Sequence, residues 1–135
     1  MATIDLERTL GIAPDALWNL VGDFAGVSEY IDLIQQSYLV DGDSSRRECV
    51  LPDGGILHET LTGKNDATRT VSYTITAGLP LAAHSASMQV LDAGDGRSTF
   101  RWLTDAKASD EAPDFPAAFE GMLTGEIDKM VQRWP

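Results

Sequence analysis

The stretch FPAAFEGMLTGEIDKMVQRW, residues 115–134, decides the fold, because here the strand-like alternation of the preceding residues gives way to helical spacing. From Ala117 to Trp134 the apolar positions recur at helical intervals. Phe115, Phe119, Met122, Ile127, Met130 and Trp134 fall roughly on one stripe, and a helix with such a stripe buries it against another element. The preceding SDEAPDFP (109–116) supplies the acids and prolines that suit a helix start.

Upstream of this helix the chain is strand after strand from Ile31 to Ala106. IDLIQQSYLV (31–40) runs into the turn DGDSS, and RRECVL (46–51) into PDGG. ILHETLTG (56–63) runs into KNDAT, RTVSYTITA (69–77) into GLPLA, and AHSASMQVL (83–91) into DAGDG. RSTFRWLTDAKA (97–108) closes the series. Six strands at hairpin spacing predict an antiparallel meander. At the other end, Ile4, Leu6, Leu10 and Ile12 share one parity in a seventh strand. Pro14 then opens a helix with the stripe Leu17, Trp18, Leu20, Val21 and Phe24, and AGVSEY (25–30) reads as a second short helix or turn. The expected fold is α+β: a seven-stranded, strongly bent antiparallel sheet wrapped around one long C-terminal helix, with two short helices after the first strand. It forms one domain over residues 1–135. One helix cannot fill the concavity of seven strands, so an internal cavity is expected, and cavities are where ligands bind.

GGILHETL (54–61) carries the chemistry. Counting by twos, Leu57, Glu59 and Leu61 share a face, so a carboxylate is sent inward between two leucines. Parity places Tyr73 and Ile75 inward on the next strand. It does the same for His84, Ala86 and Met88 on the one after, and for Phe100 and Trp102 on the last. With Cys49, Phe115, Phe119 and Met122, these residues are the expected cavity lining and ligand contacts. Glu59, Tyr73, His84 and Trp102 should stand around one wall. Glu59 and His84 have two readings: a satisfied polar pair, or a ligand contact that extends to an acid/base dyad acting on a bound carbonyl. An unpaired inward carboxylate is costly to desolvate, so replacing Glu59 by Gln is expected to leave stability little changed or raised. Arg8, on the apolar parity of the first strand, is either a buried counter-charge or a side chain reaching solvent. His58 and Ser85 and Ser87 belong to the outer face.

Composition narrows the partners. The 135 residues carry 21 acids against 10 Lys and Arg, a formal net charge of −11. Such a surface repels phosphate backbones and anionic lipid, so nucleic acid is not an expected partner. No apolar run approaches the ~20 residues of a membrane span, so no membrane insertion is expected. MATIDLERTL lacks a secretory signal pattern, and a cytoplasmic address is the expectation. Cys49 is the only cysteine, and the two histidines lie on opposite parities, so neither a disulfide framework nor a metal site is expected. No phosphate loop or Gly-x-Ser-x-Gly elbow appears, and nothing calls for a cofactor. A homodimer is left open.

The order of elements and much of the residue pattern resemble the helix-grip superfamily. That group includes START domains, Bet v 1-like proteins and, closest, the bacterial polyketide cyclase/dehydrase-like proteins. The marks are APDALWNLVGDF (13–24), VSEY (27–30), LPDGGILHETL (51–61), TVSYTITAGLPL (70–81), STFRW (98–102) and FEGMLTGEIDKM (119–130). The resemblance implies an inward Glu at Glu59 and an aromatic pocket residue at the place of His84, where this chain departs by carrying His in place of the frequent Tyr. It also implies that the loops 51–55 and 77–82 line the cavity mouth. The implied function is binding of a hydrophobic polyketide, aromatic or lipid-like molecule, or alternatively a cyclase/dehydratase reaction using Glu59 and His84.

Overall fold

The computed structural model describes residues 1–135. β1 (Ala2–Leu10) ends at Gly11, whose N–H donates to the Trp134 carbonyl at 2.8 Å. A Cβ at Gly11 would sit 2.2 Å from the Pro135 carbonyl oxygen, so this close approach needs glycine. α1 (Pro14–Val21) follows, with proline in its first turn and Leu17 and Val21 buried. A 3-10 helix (Phe24–Glu29) buries Phe24 and Val27.

The strands are β2 (Gln36–Val40), β3 (Asp43–Val50), β4 (Ile56–Asn65), β5 (Thr70–Ala77), β6 (Leu81–Gly94) and β7 (Arg97–Ala108). They form one seven-stranded antiparallel sheet in the order β1-β7-β6-β5-β4-β3-β2, the expected meander with β1 added beside β7. The C-terminal helix α2 (Phe115–Arg133) lies on the concave face and buries Phe119, Leu123, Glu126, Ile127 and Met130. The concave side of the sheet answers with Ile4, Leu10, Val71, Met88, Val90 and Phe100, all at most 2% exposed.

Several boundaries differ from the sequence reading. α1 stops at Val21, so Phe24 falls in the 3-10 helix. β3 begins inside the expected DGDSS turn, and β6 takes in parts of the expected GLPLA and DAGDG turns. Residues 31–35 are not strand: the Ile31 N–H donates to the Val27 carbonyl at 3.0 Å and the Ile34 N–H to the Ile31 carbonyl at 3.0 Å. Ile31 and Ile34 are both buried at a spacing of three, which a turn satisfies and an alternating strand does not. The bend of the sheet has local causes. The β4–β5 ladder shifts register after His58 and again between Leu61 and Gly63, and the β6–β7 ladder shifts at both ends. Each such bulge bends its strand and increases the twist. β5 and β6 pair only from Thr70–Gln89 to Tyr73–Ala86, then part. No helix is long and apolar enough to cross a membrane.

Candidate functional site

The β3–β4 hairpin places Arg47 directly opposite Glu59. Its turn is closed by the Leu51 N–H donating to the Gly55 carbonyl at 2.8 Å. Arg47 Nε and Nη2 donate to Glu59 Oε1 at 2.9 and 2.6 Å, and Nη1 donates to the Phe24 carbonyl at 2.9 Å. The guanidinium sits 4.0 Å from the centroid of the Phe24 ring and 5.0 Å from that of Tyr73, close enough for attraction to both π-faces. The pair is buried, with side chains 3% and 4% exposed. Burial opposes the charge on Arg47, but the Glu59 carboxylate, joined by Tyr30, Cys49 and Tyr73, holds the guanidinium above its ordinary value. Glu59 Oε1 takes both bonds, and Oε2 takes none.

The pair forms part of the wall of a cavity of about 50 Å³ between sheet and α2, whose 17 lining residues include 14 hydrophobic ones. The remaining polar liner is Glu126. Its Oε1 accepts the Leu33 N–H at 2.6 Å and its Oε2 accepts Lys129 Nζ at 3.0 Å. Of the residues expected to line the cavity, Leu57, Glu59, Tyr73, Ile75, Met88, Trp102, Phe119 and Met122 do so. Trp102 Nε1 donates to the Tyr73 hydroxyl at 3.0 Å, which ties two of the aromatic liners together. Leu51 and Leu79 bring the loops 51–55 and 77–82 into the lining. The loops meet the sheet closely at Gly78. Its φ is +109°, and a Cβ there would lie 2.4 Å from the Ile56 carbonyl oxygen.

Cys49, His84, Ala86, Phe100 and Phe115 are not among the lining residues. Phe100 is wholly buried, and Ala86 is buried on the same concave face, opposite Thr104. Phe115 stacks on Phe119 with centroids 5.5 Å apart. Burial, followed by the Glu59 charge, pushes the Cys49 thiol up to about 12, which removes its thiolate at neutral pH. His84 and Glu59 are not hydrogen-bonded to each other. Where β5 and β6 part, the Ile75 N–H loses a ladder partner and donates instead to His84 Nδ1 at 2.9 Å. The imidazole thus replaces a missing backbone acceptor. Burial lowers its pKa to about 4, so it is neutral with the hydrogen on Nε2. Arg8 reaches the surface and pairs with Asp128 at 3.0 Å. His58 stands on the outer face beside Glu48, 3.5 Å away.

The family model described as "Polyketide cyclase / dehydrase and lipid transport" matches residues 1–134. The chain belongs to this family. Among solved structures it is similar to the protein XoxI from Bacillus cereus, with 23% identity, TM-score 0.87, and 99% of this chain and 96% of that one covered. It is similar to a START superfamily protein from Mycobacterium smegmatis, with 10% identity, TM-score 0.72, and 97% of each chain covered. It is also similar to the di-domain ARO/CYC BexL from the BE-7585A biosynthetic pathway, at 15% identity and TM-score 0.83 over 98% of this chain and 46% of BexL. No curated protein matches it.

Within this polyketide cyclase/dehydrase family member, three parts of the cavity wall lie outside the lining that the sequence reading named. Arg47 could have been found by counting outward from the PDGG turn, which sets Arg47 against Glu59. Glu126 lies seven residues after Phe119, on the same helix face. Val27, Ile31 and Ile34 line the cavity from the 3-10 helix and the turn after it. Their only signal was a three-to-four residue spacing hidden beside a strand-like run.

Proposed function

We propose that the protein binds a hydrophobic small molecule, of polyketide, aromatic or lipid-like character, with a neutral polar end set against Arg47 and Glu59. The observation that carries this reading is a buried ion pair on the wall of a cavity whose other liners are apolar save Glu126, with Glu59 Oε2 free of any bond. Arg47 has five N–H donors and commits three, so donors and an acceptor stand side by side. Glu59 neutralises Arg47, which removes the advantage of an anionic ligand. A hydroxyl or enol, which both donates and accepts, matches the pair. At about 50 Å³ the cavity holds a few waters or the tip of a ligand. A whole ligand requires the pliable liners Met122, Leu51 and Leu79 to move.

A second reading, acid/base catalysis on a bound carbonyl as in a cyclase or dehydratase, draws support from the family description and from the ARO/CYC name of BexL. Geometry weighs toward binding, because Glu59 is committed to Arg47 and His84 to the Ile75 N–H. Native mass spectrometry of freshly purified protein tests the first reading: an adduct that disappears on denaturation is expected, and its mass identifies the ligand. Absence of an adduct, together with no saturable binding of 2-naphthol, refutes it. Turnover of the identified ligand that vanishes in His84→Phe while binding persists would instead establish the second.

A further inference from the structure

Two buried polar atoms on the concave face have no partner: His84 Nε2 and Thr104 Oγ1. Their residues are 9% and 1% exposed. Buried polar groups are rarely left unpaired, so each such atom calls for an explanation. The β6–β7 register sets His84 opposite Ala106 and Ala86 opposite Thr104. His84 and Thr104 are therefore diagonal neighbours on one face, with only the methyl groups of Ala86 and Ala106 completing the square. Diagonal positions lie ~7–8 Å apart, so a single oxygen can be reached from both sides. Because Nδ1 accepts the Ile75 N–H, Nε2 carries hydrogen and is a donor. The Thr104 hydroxyl is a donor as well. Phe119 links this square to the cavity: it lines the cavity, and its ring centroid lies 6.0 Å from that of His84.

We infer that His84 and Thr104 form a second polar contact for the ligand, donating Nε2–H and O–H to one carbonyl oxygen at the end opposite Arg47 and Glu59. This rests on the reading of the cavity as a ligand site. Glu59 is on β4 and His84 on β6, two strands apart where β5 and β6 part, so their backbones are separated by at least two regular strand spacings, about 10 Å. The ligand class is then a flat, two-ended molecule with a hydroxyl at one end and a ketone or aldehyde at the other. Phe119 moves aside to admit the carbonyl.

The test compares 6-acetyl-2-naphthol with 6-ethyl-2-naphthol, which lacks the carbonyl. Binding is followed by calorimetry and by long-range proton–nitrogen spectra of the imidazole. The ketone should bind about tenfold more tightly, the sum of two modest neutral hydrogen bonds, and should shift the His84 Nε2–H resonance downfield. Thr104→Val keeps the shape, leaves the His84–Ile75 bond intact, and should cut the preference to about threefold. Equal affinity of the two naphthols with an unmoved resonance overturns the inference while leaving the Arg47–Glu59 site standing. A preference undiminished in Thr104→Val overturns the part given to Thr104. Failure of both naphthols to bind brings down the cavity reading itself, and this inference with it.

Discussion

Replacing Glu59 by Gln removes one charge from the wall with almost no change in shape. Read as a lone inward carboxylate, Glu59 should be dispensable for stability; its pairing with Arg47 reverses that expectation. With Nη2 2.6 Å and Nε 2.9 Å from Oε1, the two charge centres lie ~4 Å apart, which is worth about 4 kcal/mol at an effective dielectric of about 20. Arginine cannot neutralise itself by losing a proton, so the deficit falls on the folded state. The Gln carbonyl still accepts a hydrogen bond, and the Phe24 and Tyr73 faces still attract the guanidinium. The retained hydrogen bond returns about 1 kcal/mol, while the cation–π contacts are common to both proteins and cancel. The net loss is about 3 kcal/mol, at the lower end of what breaking a buried pair costs. Urea titration at pH 7, followed by tryptophan fluorescence, should show a lower midpoint at an unchanged m-value. Arg47→Met with Glu59→Leu, which removes both charges, should return stability to within about 1 kcal/mol of wild type. A loss below about 1 kcal/mol in Glu59→Gln would refute the coupling.

Three further outcomes follow from the same geometry. Trp102→Phe leaves the Tyr73 hydroxyl without the indole N–H and should lower stability by about 1 kcal/mol in the same titration. His84 has its pKa lowered from 6.5 to about 4; its contribution is therefore complete above about 6.5 and is lost as pH falls toward 4, by up to about 3 kcal/mol. Urea midpoints measured across that window should fall with pH, and the slope should flatten in His84→Asn, whose amide oxygen can still accept the Ile75 N–H. Gly78→Ala forces a side chain into a positive-φ position against the Ile56 carbonyl and should cost about 2–3 kcal/mol by thermal or urea melts.

The fold was legible because its two periods are clean. Alternation over 56–63, 69–77, 83–91 and 97–108 and helical spacing over 117–134 correspond to β4 to β7 and α2. Ile31–Gln35 misled because apolar residues in a buried turn resemble those of a strand. On the wall, parity named Glu59, Tyr73 and Trp102 because each strand's own alternation assigns its face. It could not name the partner of Glu59, since pairing depends on hairpin register, which the turn sets and parity does not carry. The role of His84 was hidden for a related reason. Its bond to the Ile75 N–H exists only because β5 and β6 part after Tyr73, a divergence that no local pattern records.

The central claim is that the Arg47–Glu59 pair recognises the polar end of an apolar ligand. The most direct test is titration of 2-naphthol and of 2-methylnaphthalene into wild type and into the Arg47→Met, Glu59→Leu variant, whose fold should survive. Wild type should prefer the hydroxyl compound by tenfold or more, the worth of one or two charge-assisted hydrogen bonds, and the variant should lose or invert that preference. Equal preference in the two proteins would contradict the claim.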